Sequence, residues 1–373
     1  MRLISICASL AIGSLCFSAC NPRHQSDSSG LMDDKGDEVR KFRDLYRKQN
    51  NVEIANGQVM RVLTYNMGLL WGKTASVPNY NERRAKILSY FVRSINQAGA
   101  DKPQVIFLQE LWYGQDAKSL QQGLSLLGYE PALSEAADNN HGLQIFVERS
   151  FMNPNTRLRN VRFEQFNAYG TLEYTAGYLR GHLTAEMTAV SGDTIFLCAA
   201  HLSAGLGLTE FRIQQAQELA QMLNKRADDF DFVIAGADFN ASPTFSKPLP
   251  EEQAQWTRNI QAYLDFANVA YRFRDAYWSV NQDDGFTQDR VKNPLTKYSD
   301  STKDEPEQRI DYVWFGSAKK TFRVETASLY FTDFLKDQNG RVITGTDPRD
   351  PSTSFNLHMS DHFGVFSKVR YQN

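Results

Sequence analysis

The sequence predicts one α/β domain made of two packed sheets with helices outside them. Three observations predict it: short apolar runs recur from residue 58 onward, helical periodicity occurs in fewer places between them, and the connections are long and irregular. With 373 residues the chain has the length of two average domains or one large one.

The elements follow in chain order. Val59 to Asn66 reads as a strand that ends in a polar residue. Asn81 to Gln97 places Ile87, Leu88, Phe91, Val92 and Ile95 on one helical face. Pro103 precedes Val105 to Glu110, an apolar run that again ends in polar chemistry. Leu143–Val147, Leu179–Val190 and Thr194–Ala200 are further strands, Phe211–Asn224 is a helix, and Phe232–Ala235, Ile310–Phe315 and Phe363–Val369 close the set. No tandem repeat is visible.

The N-terminus is set apart from the fold. In residues 1–20, Arg2 precedes an apolar stretch from Leu3 to Phe17 that is too short to span a bilayer comfortably. Phe17-Ser18-Ala19-Cys20 resembles the lipobox of bacterial lipoproteins, with Phe17 where an aliphatic residue is usual. That resemblance implies a signal peptide, a lipid-anchored Cys20 and export to the cell envelope; an ordinary secretory cut near Ala19 is the alternative. Residues 21–57 read as a polar tether with a short helix over 37–49, and 58–373 as the folded domain. Cys198 lies alone in an apolar run and reads as a buried small hydrophobe.

Charge narrows the partners. The formal net charge is -2, and removing residues 1–20 with their single Arg leaves about -3. No basic field of the kind that drives non-specific nucleic-acid binding is present, although a local basic groove remains compatible with these numbers.

Polar residues recur where apolar strands stop. Asn66, Glu110, His201, Asp238 with Asn240, Asp311, and Asp361 with His362 all sit at such ends. Any one of them alone reads as a turn residue. Together they bring acids and histidines to positions that hold side chains rigidly beside a cleft. In order they form Tyr65-Asn66, Leu108-Gln109-Glu110, His201-Leu202, Gly236-Ala237-Asp238-Phe239-Asn240, Arg309-Ile310-Asp311-Tyr312 and Ser360-Asp361-His362.

This ordered set, from about Met60 to Arg370, resembles the endonuclease/exonuclease/phosphatase superfamily. The resemblance implies a four-layer α/β sandwich, DNase I-like, with the site at the sheet edges. Ala237 replaces the first Gly common in the fourth motif and is still small. A phosphodiester needs charge neutralisation and an aligned nucleophile. Glu110 is a hard oxygen ligand suited to Mg²⁺, with Mn²⁺ as a substitute, and Asn66 can add its carbonyl oxygen. His362 is the best general base, and the resemblance makes Asp311 the acid that orients it. Asp238 and Asn240 position the attacking water or stabilise the transition state, and His201 donates to a phosphoryl oxygen. Asp361 matches a position that in some members helps hold a second metal. His141 reads as structural, His24 lies in the tether, and His358 lies in a loop.

Local features resemble the neutral sphingomyelinase branch. They include Leu111-Trp112 after Glu110, Asn140-His141-Gly142, Ser203-Ala204 with Arg212, and Asp284-Gly285-Phe286-Thr287. That branch implies a phospholipid or sphingolipid substrate at a membrane surface. Tyr169, Tyr174, Tyr178, Phe163 and Phe166, with Leu69-Leu70-Trp71, agree with a lipid-facing rim or with ordinary packing. The rivals are an exported nuclease or phosphatase of the same fold, with nucleic acid as substrate, and a binding lipoprotein without turnover.

Overall fold

The computed structural model describes residues 28–70, 77–133, 141–171, 173, 177–246, 248, 250–299, 302 and 304–372, and side chains from residue 35 onward. The signal peptide, Cys20, His24, Trp71, Asn140 and Tyr174 lie outside the described residues.

Helix α1 (Ser28–Asn50) leads into β1 (Gln58–Asn66), α2 (Tyr80–Gln97), β2 (Val105–Gln109) and α3 (Gly114–Leu126). Strands β3 (Tyr129–Pro131), β4 (Gln144–Glu148), β5 (Arg159–Gln165), β6 (Gly181–Thr188) and β7 (Thr194–His201) follow. Then come α4 (Thr209–Asp229), β8 (Phe232–Asp238), α5 (Gln253–Val269), β9 (Phe273–Asp275), α6 (Ala276–Val280) and α7 (Pro294–Tyr298). Strands β10 (Asp311–Gly316), β11 (Phe322–Tyr330), β12 (Thr344–Asp347), β13 (Asp350–Asn356) and β14 (Gly364–Tyr371) end the chain.

Two six-stranded sheets result, ordered β11-β14-β1-β2-β4-β3 and β5-β6-β7-β8-β10-β9, with β12-β13 as a separate ribbon. Each sheet has one parallel pair at its centre, β1 with β2 and β7 with β8; every other pairing is antiparallel. This is the expected pair of mixed sheets with helices outside.

Alternation along the central strands explains the layers. Met60, Val62, Val105 and Phe107 point between the sheets, whereas Leu63, Tyr65, Ile106 and Leu108 point outward under Ile87, Phe91 and Ile95 of α2 and Leu120 and Leu124 of α3. Both faces are buried, so these strands read as continuous apolar runs. The sheets meet closely at Gly236, where an added Cβ would lie 2.3 Å from the Phe107 ring. Any side chain there would push the sheets apart.

Helix α1 is longer than the expected 37–49 and takes in residues 28–35, which the composition had placed in the tether. Its Val39 and Tyr46 belong to the inter-sheet core, and the Tyr46 ring meets Trp314 edge-on at 6.0 Å. Asn50 accepts from Val324 N at 2.7 Å and donates to Val324 O at 2.9 Å. Residues 37–50 are therefore packed as part of the domain. Among the described residues, no helix is long and apolar enough to cross a membrane.

Candidate active site

The topology gathers the strand-end residues at one edge. Asn66, Glu110, His201 and Asp238 end or follow the four parallel strands. Strand β10 runs antiparallel to β8, so its first residue, Asp311, pairs with Asp238. Strand β14 runs antiparallel to β1, so Asp361 and His362, just before it, arrive at the same edge. A pocket of about 330 Å³ opens there, lined in part by Glu110, Asp238, Asn240, Asp361 and His362.

His362 and Asp311 form a buried pair, with Nδ1 2.8 Å from Asp311 Oδ2. Burial disfavours the charged ring, but Asp311 first, then Asp361 and Asp238, outweigh it and raise the His362 pKa well above its usual value. Thr287 Oγ1 accepts from the N–H groups of Ile310 and Asp311, and its carbonyl accepts from Phe363 N, so one loop holds both partners. Asp238 accepts from Asn240 N at 2.8 Å and from Asn66 Nδ2 at 2.9 Å. Burial first, and Asp311 next, push Asp238 up to about 6.

Asn66, expected to be a metal ligand, is here held between the two sheets. It is fully buried, its Oδ1 accepts from Gly68 N at 2.9 Å, and its Nδ2 ties β1 to β8 through Asp238. In this geometry Asn66 links the sheets beneath the pocket. Asn240, with φ 49°, donates its side-chain amide to Leu202 O at 3.0 Å.

Glu110 has φ 55°, a left-handed conformation rare for a residue with a side chain. Leu111 N, bonded to Gly142 O, secures the turn. Burial first, and Asp361 next, push the Glu110 carboxyl up to about 7. Gly68, at φ 56°, leaves room for Asp361: an added Cβ would stand 2.7 Å from its Oδ1. Buried Arg83 bonds the carbonyls of Gly68 and Met359 at 2.6 and 2.7 Å, bracing the segments on both sides.

His201 departs from its expected role. Its Nε2 lies 2.6 Å from Arg180 Nη1 and 3.3 Å from Asp238 Oδ2. A guanidinium only donates, so Nε2 accepts there and is not available to donate to a phosphoryl oxygen. Burial first, then Arg180, hold the ring far below its usual pKa, in its neutral form. Arg180 lines the pocket instead. Glu173 holds its Nε at 2.8 Å, and Glu173 in turn accepts from Ser203 Oγ and Ala204 N. Sequence reasoning gave no role to Arg180, Glu173, Arg83 or Thr287; the available signals were an Arg directly ahead of β6 and the Asp284-Gly285-Phe286-Thr287 segment.

The aromatic segment divides. Phe166 is buried against His182, Phe163 stacks on His141 at 4.3 Å, and Leu69 is buried. Tyr178 and Leu70 line the pocket, with Tyr178 edge-on to Trp112 at 5.0 Å. His141 accepts from Leu143 N at 3.0 Å and lies outside the pocket lining, as a structural residue would.

The Endonuclease/Exonuclease/phosphatase family matches residues 63–362. The chain belongs to this family. Its fold is shared with solved structures of C. elegans TDP2 (14% identity, 97% of this chain and 99% of that one, TM-score 0.57). It is shared too with D. rerio TDP2 complexed with single strand DNA product (18%, 84% and 99%, TM-score 0.55) and with beta toxin from Staphylococcus aureus (14%, 83% and 99%, TM-score 0.54). At such identities the likeness carries the fold. No curated protein matches the chain by sequence.

Members of this family are phosphoester hydrolases, typically dependent on a divalent metal. The donor set fits such an ion: Glu110, Asp238 and Asp361 offer hard oxygens to one pocket, and two of these carboxyls are pushed up, by burial first and by a neighbouring carboxylate next. Among the described residues, the tightest cluster of potential ligand atoms is Asp238, Asp311 and His362, all within 4.8 Å. There His362 Nδ1 and Asp311 Oδ2 are occupied with each other. Glu110 and Asp361 line the same pocket and are the other oxygen donors open to it.

Proposed function

We propose that this chain is a Mg²⁺-dependent phosphodiesterase of the sphingomyelinase kind, which hydrolyses a phospholipid and releases a phosphorylated head group. The observation that carries the reading is the convergence of the His362–Asp311 pair, the carboxylates Glu110, Asp238 and Asp361, and Arg180 on one pocket. Glu110 and Asp361 would hold the ion, which supplies countercharge and Lewis acidity when bound. His362, oriented by Asp311, takes the proton of the attacking water. Asp238 and the Asn240 amide align that water. Arg180, steadied by Glu173, binds a phosphoryl oxygen in the role first expected of His201. The lipid reading is supported by the sphingomyelinase-like segments and by Tyr178 and Leu70 on the pocket wall. It also fits a lipoprotein anchored through Cys20, which we propose as the location.

A nuclease is the second reading, favoured by the D. rerio TDP2 structure that holds a single strand DNA product on the same fold. Sphingomyelin, phosphatidylcholine, inositol phosphates and DNA, each assayed with Mg²⁺, with Mn²⁺ and with chelator, separate the two. Release of phosphocholine from sphingomyelin that stops with chelator is the expected result; cleavage of DNA alone would overturn the lipid reading.

A further inference from the structure

A second cavity of about 540 Å³ carries, among the described residues, three cations on its wall, Arg290, Lys297 and Arg349, against one acid, Asp304. Two of the cations are paired with acids that stand off the wall, so the positive charge is confined to the wall itself. The two cavities are built on the same segments. Gln288 and Thr302 line the catalytic pocket, and Arg290 and Asp304, two residues further along each segment, line the second.

The cations are held in place. Glu307 braces Arg290 through Nε at 3.3 Å, and Asp347 braces Arg349 through Nε at 3.2 Å; neither acid lines the cavity. The charged groups of Lys297 and Arg349 both lie over the Tyr298 ring, at 5.2 and 6.0 Å, and that ring stacks on Phe355. Helix α7, which carries Lys297, is tied to the reaction centre: Asn293 Nδ2 donates to Ser360 O at 2.8 Å and Thr296 Oγ1 to Asp361 O at 2.6 Å. The rim bears Val291, which is 80% exposed. Cations beside an exposed aliphatic residue match the head-group layer of a lipid surface, where phosphate lies next to acyl chain.

We infer that this cavity is a phosphate-anion site, which takes the phosphate of a second, unreacted anionic lipid beside the one being hydrolysed. Two guanidinium groups and an ammonium suit phosphate oxygens by fork and by point charge. The lipid source of the anion rests on the phospholipid reading given above; the anion site itself does not. Its consequence is that anionic lipid recruits the enzyme without entering the catalytic pocket.

The test uses the full chain and its Lys297→Ala/Arg349→Ala double variant. Binding is read by pelleting with vesicles of phosphatidylcholine, with and without phosphatidylserine, and separately by competition with inorganic phosphate. Turnover of a soluble chromogenic phosphodiester reports folding and chemistry. We expect the variant to bind anionic vesicles roughly 25-fold more weakly, at about 5-fold per charge, with neutral-vesicle binding and soluble turnover unchanged. We expect inorganic phosphate to displace only the native chain. Equal binding of anionic vesicles by both proteins, with inorganic phosphate competing equally for both, would overturn the proposal. Lost phosphate competition with vesicle binding intact would keep the anion site and overturn its lipid source, and an effect confined to oligonucleotides would overturn that source too. Charge-dependent vesicle binding without hydrolysis of any lipid would sink the phospholipase reading and leave this site standing.

Discussion

His362 Nδ1 stands 2.8 Å from Asp311 Oδ2, while Asp311 Oδ1 is buried without a hydrogen-bond partner among the described residues. The ring is thus held from one side by one carboxylate oxygen, and its other nitrogen is left for the pocket. The same carboxylate is the largest of the charges that raise the His362 pKa.

Asp311→Asn tests that relationship. It keeps the shape and removes the charge, so kcat should fall by about 10²-fold or more, in the range general-base catalysis contributes. The sign of the pH effect is definite: losing the carboxylate lowers the His362 pKa, so the acid limb of kcat/KM moves to lower pH. A pH–rate profile checks both. An unmoved limb would remove His362 as the base.

Glu110→Gln separates stability from activity. Burial first, and Asp361 next, push the Glu110 carboxyl up to about 7, above the usual carboxylate range. A raised carboxyl favours folding below the unfolded pKa and loses that advantage as pH rises through 7. Without metal at pH 8 the variant should therefore equal or exceed the native chain in stability, by up to about 3 kcal/mol. Added Mg²⁺ at a hundred times its dissociation constant should stabilise the native chain by about 2.7 kcal/mol and the variant by much less. Thermal melts with and without Mg²⁺ read both effects, and activity should be lost throughout.

How much of this was legible depended on the kind of signal. The central strands could be read because both their faces are buried, and the site residues because each interrupts such a run; Asp238 and Asp311 even share a register pair. Arg180 could not be read in that way. Its place is set by Glu173, seven residues earlier, and by His201, which reaches it through the pairing of β6 with β7. The accepting nitrogen of His201 is likewise a tertiary fact, invisible in a motif. Helix α1 was shortened because its first turns are polar, and the contacts that make it part of the domain, such as Tyr46 on Trp314, are long-range. The ribbon β12-β13 lacks apolar alternation, so nothing local announced it.

Arg309 and Asp275 form a fully buried pair at 2.7 Å just upstream of Asp311, and Asp275 also caps α6 through Tyr277 N and Trp278 N. The guanidinium lies among the rings of Trp278, Tyr312 and Tyr277 at 4.5 to 5.4 Å. Asp275→Ala strands a charge in an apolar cage and should cost about 3–5 kcal/mol. Urea denaturation checks the loss. Because Asp275 does not line the pocket, activity per folded molecule should stay within a few-fold.

His182 gives a pH-dependent stability with a predictable sign. It is buried on β6, with Nδ1 3.1 Å from Glu164 O and its ring stacked on Phe166 at 5.6 Å. Burial pushes it down to about 4, so the folded chain favours the neutral ring. Between pH 6.5 and 4 the unfolded chain binds the extra proton, so this contribution is present above the unfolded pKa and is lost as pH falls through the folded one. The shift corresponds to a loss on the order of 3 kcal/mol. His182→Gln cannot take up that proton, so its stability should fall less steeply over the same window. Glu110 acts in the opposite direction, which makes the difference between variant and native chain the informative quantity. Urea midpoints at pH 7 and pH 4.5 measure it: the gap between the two proteins should narrow or reverse at the lower pH, and parallel curves would mean that His182 is charged inside the fold.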